Sequence, residues 1–308
     1  MLTNSTASKL QLEFPHLTFQ EDLILAPFTY FKIGGPAKLF VSVQKKTELE
    51  ELVKYCRREH IEFVVFGGAS NVLISDKGLQ KLVIKNLTKE ITITKQDGGA
   101  IVEAESGLSM NILVRKCINE SLEGLEYFMG LPGTVGGAIY NNAHFVDQLI
   151  GNFVLDMEII DIDGNTVVRK KDELQLAYDY SKLQETHETV LSVRFFLKNG
   201  DKKELEEKAL IATKKRATTQ PIGKPSSGCM FQNANKDGKV LFAGMLIDQA
   251  GLKGERVGDA VVSDVHANFI VNAGKATSKD VDMLAELVQK TVHEKFGVML
   301  KREVFSLS

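Results

Sequence analysis

"VVFGGASNVLIS", Val64–Ser75, sets the reading of the whole chain. An apolar strand-like run ends abruptly in Gly67, Gly68, Ala69, Ser70 and Asn71. Consecutive small residues let backbone N–H groups turn into one concavity, and Ser70 and Asn71 add side-chain donors, an arrangement suited to a phosphate. The same composition also makes an ordinary packing turn, and the stretch by itself leaves both open. A second stretch, "GLEYFMGLPGTVGGAIYNN" (Gly124–Asn142), carries five glycines between Gly124 and Gly137. There Gly133, with Thr134 beside it, and the pair Gly136–Gly137 would permit positive φ and close approach of a flat ligand to backbone. Neither stretch follows the dinucleotide pattern GxGxxG or a P-loop with its lysine. Two such turns in one soluble chain point to a diphosphate-bearing cofactor, and the spacing does not say which.

Around these turns the pattern is mixed. Strand-like runs fall at Ala37–Val43, Glu62–Gly67, Lys81–Asn86 and Ala100–Ser106. Leu49, Leu52, Val53 and Cys56 recur at helical spacing within Lys46–His60, which predicts a crossover helix. A second helix is expected over Ser109–Ser121, opened by a serine cap. Asp163-Gly164 reads as a hairpin turn, and "HETVLSVRFFL" as a long alternating strand. A charged helix from Glu204 to Thr218 runs into the breakers Pro221, Gly223 and Pro225. Beyond them come the strand "ANFIVN", a helix capped by Thr277 or Ser278 and stopped by Gly297, and a final strand from Val298 to Ser306. Strands and helices in mixed runs predict an α+β class rather than one doubly wound sheet.

The 308 residues suffice for two or three packed subdomains. With 44% hydrophobic residues and a formal net charge of -2, the chain advertises no basic face for nucleic acid or anionic membrane. Cys56, Cys117 and Cys229 are widely spaced and odd in number, which argues against a disulfide frame or a metal cluster and for a reducing, cytoplasmic setting. No apolar run approaches 18 residues.

Read in order, "FTYFKIGGPA", "VVFGGASNVLISD", "GLEYFMGLPGTVGGAIYNNA", "RATTQPIGKPSSGCMFQN", "AGMLIDQAGLKGERVGDAVVSDVHANFIVN" and "EKFGVMLKREV" resemble the UDP-N-acetylenolpyruvoylglucosamine reductase family, from about Phe28 to Val304. The resemblance implies an FAD-binding fold of the vanillyl-alcohol-oxidase/PCMH type. It divides the chain into an N-terminal extension (1–20), a flavin domain over 21–210 with subdomains of about 21–95 and 96–210, and a smaller α+β substrate domain over 211–308. It implies NADPH-dependent reduction of the enolpyruvyl ether of UDP-N-acetylglucosamine to UDP-N-acetylmuramate, a cytoplasmic step of peptidoglycan synthesis, by a monomer. The short stretch between Phe195 and Pro225 is similar to the branch lacking an extra tyrosine loop.

Site roles follow from the same resemblance. Gly67, Gly68, Ala69, Ser70, Asn71, Gly133, Thr134, Gly136, Gly137 and Asn142 would hold FAD. Cys229 stands where the family has a serine, and is expected to donate the proton to the enol carbon. A thiol of ordinary pKa, about 8.5, is mostly protonated near neutrality yet far more acidic than an alcohol. Glu303 in "KREV" matches the family's C-terminal glutamate. Tyr178, Arg216, Asn233, Lys253 and His266 are expected to meet substrate, with Gln249 lining the same pocket. One position departs: Asp179 occupies the place of the family arginine. A carboxylate there turns an attraction of roughly 4 kcal/mol for developing negative charge into a repulsion of similar size at about 4 Å and an effective dielectric near 20. A neighbouring cation, Lys182 or Arg216, is expected to fill the gap. "AHFVDQ" after Asn142 also departs, which bears on the surroundings of His144. Two rival readings remain: a homologue that binds FAD or a UDP-sugar without turnover, for which Asp179 speaks, and another flavin oxidoreductase of the same fold.

Overall fold

The computed structural model describes residues 4–145 and 147–308. Residues 1–3 of the expected N-terminal extension and Val146 of "AHFVDQ" lie outside the described residues. The chain forms two compact units. The first takes the chain up to Glu21, Lys38–Gly68 and Lys81–Lys215; the second takes Asp22–Ala37, Ala69–Gln80 and Arg216–Ser308.

In the first unit, strands of the four-stranded sheet run in the order Gln20–Ile24, Pro36–Val43, Leu79–Asn86, Phe63–Phe66, the last pair parallel. The helix Lys46–Arg58 buries Leu49, Leu52, Val53 and Cys56, as their spacing predicts. Glu48 caps its start by accepting from the N–H groups of Gln44 and Lys45. A helix the sequence pattern does not show, Asn4–Glu13, adds Leu10 and Phe14 to the same core. An antiparallel sheet follows the order Thr166–Lys170, Val154–Ile160, Thr189–Asn199, Gly99–Glu105, Ile91–Gln96. Its apolar face packs on the helix Met110–Asn119 in a second core that includes Phe128, Met157 and Phe195.

One polar cluster fixes the register of that sheet. Asp156 faces Arg194 across one neighbour and Lys170 across the other. Its carboxylate accepts from Arg194 Nε at 2.6 Å and from Lys170 Nζ at 2.9 Å. The Arg194 guanidinium holds the Asp156 carboxyl below its ordinary value, burial opposes that, and Lys170 adds to it.

The second unit has its own core, built from the helix Ser278–Phe296 against the antiparallel strands Arg256–Val257, Ala260–Val262 and Ile270–Asn272. Thr277, not Ser278, is the cap: its Oγ1 accepts from the Asp280 N–H at 3.1 Å, and Gly297 ends the helix at φ 64°. Ser278 is spent otherwise, donating its N–H and Oγ to Asp76 at 2.9 and 2.7 Å. That bond ties Ala69–Gln80 to the body of its unit. The same segment pairs Val72–Ile74 in parallel with Phe305–Leu307. The final strand is therefore shorter than Val298–Ser306, because Arg302 makes only an isolated bridge to Phe231.

Asp156→Asn is expected to cost about 1–3 kcal/mol at neutral pH, since Asp156 is buried while Arg194 is partly exposed. The folded carboxyl sits below its unfolded value, so its contribution is present above about pH 4 and disappears as pH falls through the folded value. Urea midpoints of the two proteins should therefore converge in acid and separate above about pH 4.

Candidate active site

In the first unit the two glycine-rich turns meet each other. A β-carbon at Gly67 would lie 2.1 Å from Thr134 Oγ1, and one at Gly68 would lie 2.6 Å from the Gly133 Cα. The Gly67 contact is with the Thr134 side chain, whereas at Gly68 backbone meets backbone, so no rotamer change relieves that one. Gly133 takes φ 107°, as expected, and the left-handed step after Gly68 falls on Ala69 at φ 49°. The expectation of positive φ at Gly136 and Gly137 is corrected: both lie inside the helix Val135–Tyr140 and neither has positive φ. Gly136 is small because a β-carbon there would come within 2.9 Å of Ser106 Cβ. The first amides of this six-residue helix are spent within the protein, Val135 on Leu108 O and Gly136 on Ser106 O.

Whether the first turn suits a diphosphate is decided by its donors. Lys85, from the strand Leu79–Asn86, reaches Gly67 with its ammonium group donating to the carbonyl oxygen. Burial pushes that ammonium below its ordinary value. The N–H group of Gly68 meets no protein acceptor among the described residues. An ammonium at the end of a strand beside an unspent amide offers donors to an anionic group, and a phosphate of FAD fits them. Lys85 was not singled out in the sequence, although a lysine inside the apolar run "KLVIKN" was a visible signal.

A second cluster in the first unit surrounds the departures from the family pattern. The Asn142 amide accepts from the Gly151 N–H at 3.0 Å and donates to Ala177 O at 2.7 Å. Its side chain thus braces the tight turn Ala177–Tyr180, closed by the N–H of Tyr180 on Ala177 O. Asp179 sits in that turn at φ 50°, buried at 2% exposure. Its carboxylate lies 3.2 Å from His144 Nδ1, and Tyr178 lays its ring 4.7 Å from the same imidazole. Lys182, one of the two cations expected to serve at Asp179, is ion-paired to Glu185 instead.

In the second unit the segment through Cys229 is held on both sides. The Met230 N–H donates to Asn268 O at 2.7 Å, and the Glu303 N–H donates to Met230 O at 2.9 Å. Asn268 completes the bracket with its side chain, accepting from the Phe231 N–H at 3.0 Å and donating to Phe231 O at 2.7 Å. Glu303 therefore lies across from the residue that follows Cys229. Asn71 joins them, donating to Glu303 O at 3.4 Å and accepting from the Phe305 N–H at 3.1 Å. Cys229 is half-buried, and Arg216, buried at 6% exposure, is in electrostatic reach of it. Burial pushes the Arg216 guanidinium down to about 10, which leaves it cationic at neutral pH. Asn268 was missed in the sequence, because its role is to bracket a backbone 37 residues away.

The remaining expected residues are spread over the second unit. Asn233 Oδ1 accepts from the Ala243 N–H, at the start of the helix Ala243–Gln249. Lys253 pairs with Asp248 at 2.7 Å, and Gln249 is exposed at the end of the same helix. His266 Nδ1 accepts from the Asn268 N–H at 3.2 Å. Burial first, then the charge of Lys253, pushes the His266 imidazole below its ordinary value, favouring the neutral ring.

The fold and the anion-ready turn define a flavin-binding protein: residues 37–169 match the FAD binding domain model, and residues 220–307 match the C-terminal domain model of UDP-N-acetylenolpyruvoylglucosamine reductase. The chain is 38% identical over 96% of its length to the UDP-N-acetylenolpyruvoylglucosamine reductase of Caldicellulosiruptor bescii, covering 93% of that protein. It is 36% identical to the reductase of the same name from Lachnoclostridium phytofermentans, over 91% of this chain and 90% of that one. The crystal structure of the Thermus caldophilus UDP-N-acetylenolpyruvylglucosamine reductase superposes with a TM-score of 0.78 at 31% identity, covering 95% of this chain and all of that one. The chain belongs to the UDP-N-acetylenolpyruvoylglucosamine reductase family, an α+β flavoprotein family.

Two outcomes follow. Gly68→Ala sets a methyl against the backbone of Gly133 and should lower stability by about 1–3 kcal/mol, read from the urea midpoint, with less FAD retained on purification. Under native conditions iodoacetamide should modify Cys229 alone. Cys56 and Cys117 are buried, and burial pushes both thiols up to about 12. Mass spectrometry of the peptides reads the selectivity, and it should vanish in denaturant.

Proposed function

We propose that the chain reduces the enolpyruvyl ether of UDP-N-acetylglucosamine to UDP-N-acetylmuramate, with NADPH as hydride source and FAD as carrier, in the cytoplasm as a monomer. The observation that carries this is the bracket that holds the segment through Cys229 beside the segment through Glu303, with Arg216 in reach. Family membership supports the substrate and the cofactor. Among the described residues no helix is long and apolar enough to cross a membrane.

Bound FAD supplies the hydride chemistry. The remaining work falls to residues. The turn Gly67–Asn71 and Lys85 bind the cofactor's phosphates. Cys229 releases the thiol proton to the carbon beside the one that receives hydride, which consumes the negative charge built up on the substrate. The thiolate left behind lies in the field of Arg216, and that guanidinium, kept in a buried site, stabilises it more than it would in water. Glu303, half-buried and held by the backbone of Met230, orients the enolpyruvyl end. Lys253 meets the diphosphate as a point charge, and neutral His266 offers its Nε2–H, since Nδ1 is occupied as an acceptor.

The purified protein should be yellow, bleach with NADPH, and regain colour on addition of the enolpyruvyl nucleotide. Cys229→Ser should retain turnover. Cys229→Ala should bleach normally with NADPH but recover colour roughly a hundredfold or more slowly. Recovery at the parent rate in Cys229→Ala removes the thiol as donor. A parent protein that bleaches and never recovers colour with the nucleotide supports the binding homologue without turnover instead.

A further inference from the structure

The turn Ala177–Tyr180 holds a carboxylate in a setting that ordinarily repels one. Asp179 is 2% exposed, and neither carboxylate oxygen has a well-aligned hydrogen bond among the described residues. Burying an ionised carboxylate without a partner costs several kcal/mol as an order of magnitude, so a neighbour must compensate. The groups packed around it are few. The Tyr178 ring lies 4.7 Å from the His144 ring, tilted by 43°. Gln184, from the short helix Leu183–Thr186, donates to the Asp179 backbone oxygen rather than to its side chain. Asn142 braces Ala177 O, and Lys182 is paired with Glu185. His144 Nδ1, at 3.2 Å, is the group in contact with the carboxylate itself. The turn is also backbone-strained: φ 50° at a residue with a β-carbon costs on the order of 1 kcal/mol or more, so the surrounding contacts hold the carboxylate in place.

The geometry points to Asp179 as a positioning residue for His144. The carboxylate accepts from Nδ1–H, which fixes the neutral ring as the Nδ1–H tautomer and its orientation beside Tyr178, and leaves Nε2 as an acceptor. A carboxylate that orients an imidazole through Nδ1 sets what the other nitrogen can do. His144 Nε2 meets no protein partner among the described residues, and the ring is half-buried. Nε2 then recognises a proton-donating, uncharged group of the bound ligand, a hydroxyl or an imide N–H. An arginine at position 179 would offer donors to an anion. This turn offers an acceptor to a donor, so its hydrogen-bond polarity is inverted. The inference rests on the proposed reductase reading for the identity of the ligand, and its primary readout does not depend on turnover.

The test is carried out on the yellow holoprotein, labelled with 15N at histidine, at a pH about two units above the ordinary imidazole value of about 6.5. His144→Gln assigns the resonance. The expected spectrum shows His144 with a protonated Nδ1 and a pyridine-like Nε2. Asp179→Asn should bring the two nitrogens towards the averaged values of an unconstrained imidazole while the flavin absorbance stays the same. UDP-N-acetylglucosamine is the ligand probe, compared with the cofactor-stripped and reloaded protein, and should shift Nε2, or the loss of FAD should. In steady state Asp179→Asn should raise KM for the nucleotide on the order of tenfold with kcat changed less, the pattern of a lost binding contact. A wild-type spectrum with the proton on Nε2, or an Asp179→Asn spectrum identical to wild type, overturns the positioning role. An Nε2 signal unmoved by both the nucleotide and FAD removal overturns ligand recognition. Loss of reductase activity with the tautomer intact would strike at the proposed function and leave this inference standing.

Discussion

Two backbone segments, Gly67–Gly68 and Gly133–Thr134, pack closely, Gly68 against the Gly133 backbone and Gly67 against the Thr134 side chain, and the first unit depends on that approach. The parallel strand Phe63–Phe66 delivers one segment. Ser106, at the end of the strand Gly99–Glu105, supports the other through its contacts with Gly136. A β-carbon at Gly67, Gly68 or Gly136 would have to displace Thr134, Gly133 or Ser106, all of which are anchored. The glycines are therefore explained by chain packing before any ligand is considered. Their consequence for ligands is indirect: with the chain pressed this close, the amide of Gly68 is left unspent, and Lys85 adds a positive charge at the Gly67 carbonyl.

The second unit solves a different problem, which is to fix an irregular segment without building a regular sheet. Cys229–Phe231 makes isolated bridges to Phe269 and Arg302 rather than a ladder. Asn268 supplies what the ladder lacks, its side-chain amide presenting an acceptor and a donor to one residue as a neighbouring strand would. Both groups it satisfies are buried, so each would cost about 1–3 kcal/mol if left unpaired.

Elements with strong periodicity were legible: the apolar stripe at Leu49, Leu52, Val53 and Cys56 predicted the helix now seen at Lys46–Arg58, and the breakers at Pro221 and Gly223 fall just beyond the helix Lys202–Thr219. The short helix Val135–Tyr140 was not, because two of its six residues are glycine and only the Thr134 cap and tertiary contacts hold it. The final strand was read as too long, since its apolar residues are buried by packing and not by pairing. The candidate site was proposed mainly through resemblance, which supplied the expected roles of Cys229, Glu303 and Arg216. Contacts such as Asp76 with Ser278, 202 residues apart, or His144 with Asp179 leave no local pattern to read. The cation expected to serve at Asp179 was sought among lysine and arginine; the structure puts an imidazole there.

One buried charge in each unit bears on the proposed chemistry, and the two differ in sign. In the second, a guanidinium lies in reach of a thiol. Even pushed down to about 10 it remains charged at neutrality, so its field is available whenever the thiol gives up a proton. In the first, a carboxylate is buried against an imidazole. A negative charge there disfavours any further negative charge nearby, so that turn is unsuited to stabilising an anionic intermediate. It is suited to holding a ring at one angle and in one tautomer. The departure at Asp179 then does not require a replacement cation at the same spot. In the proposed reading, charge stabilisation falls to Arg216 in reach of Cys229, and orientation to the Asp179–His144 pair.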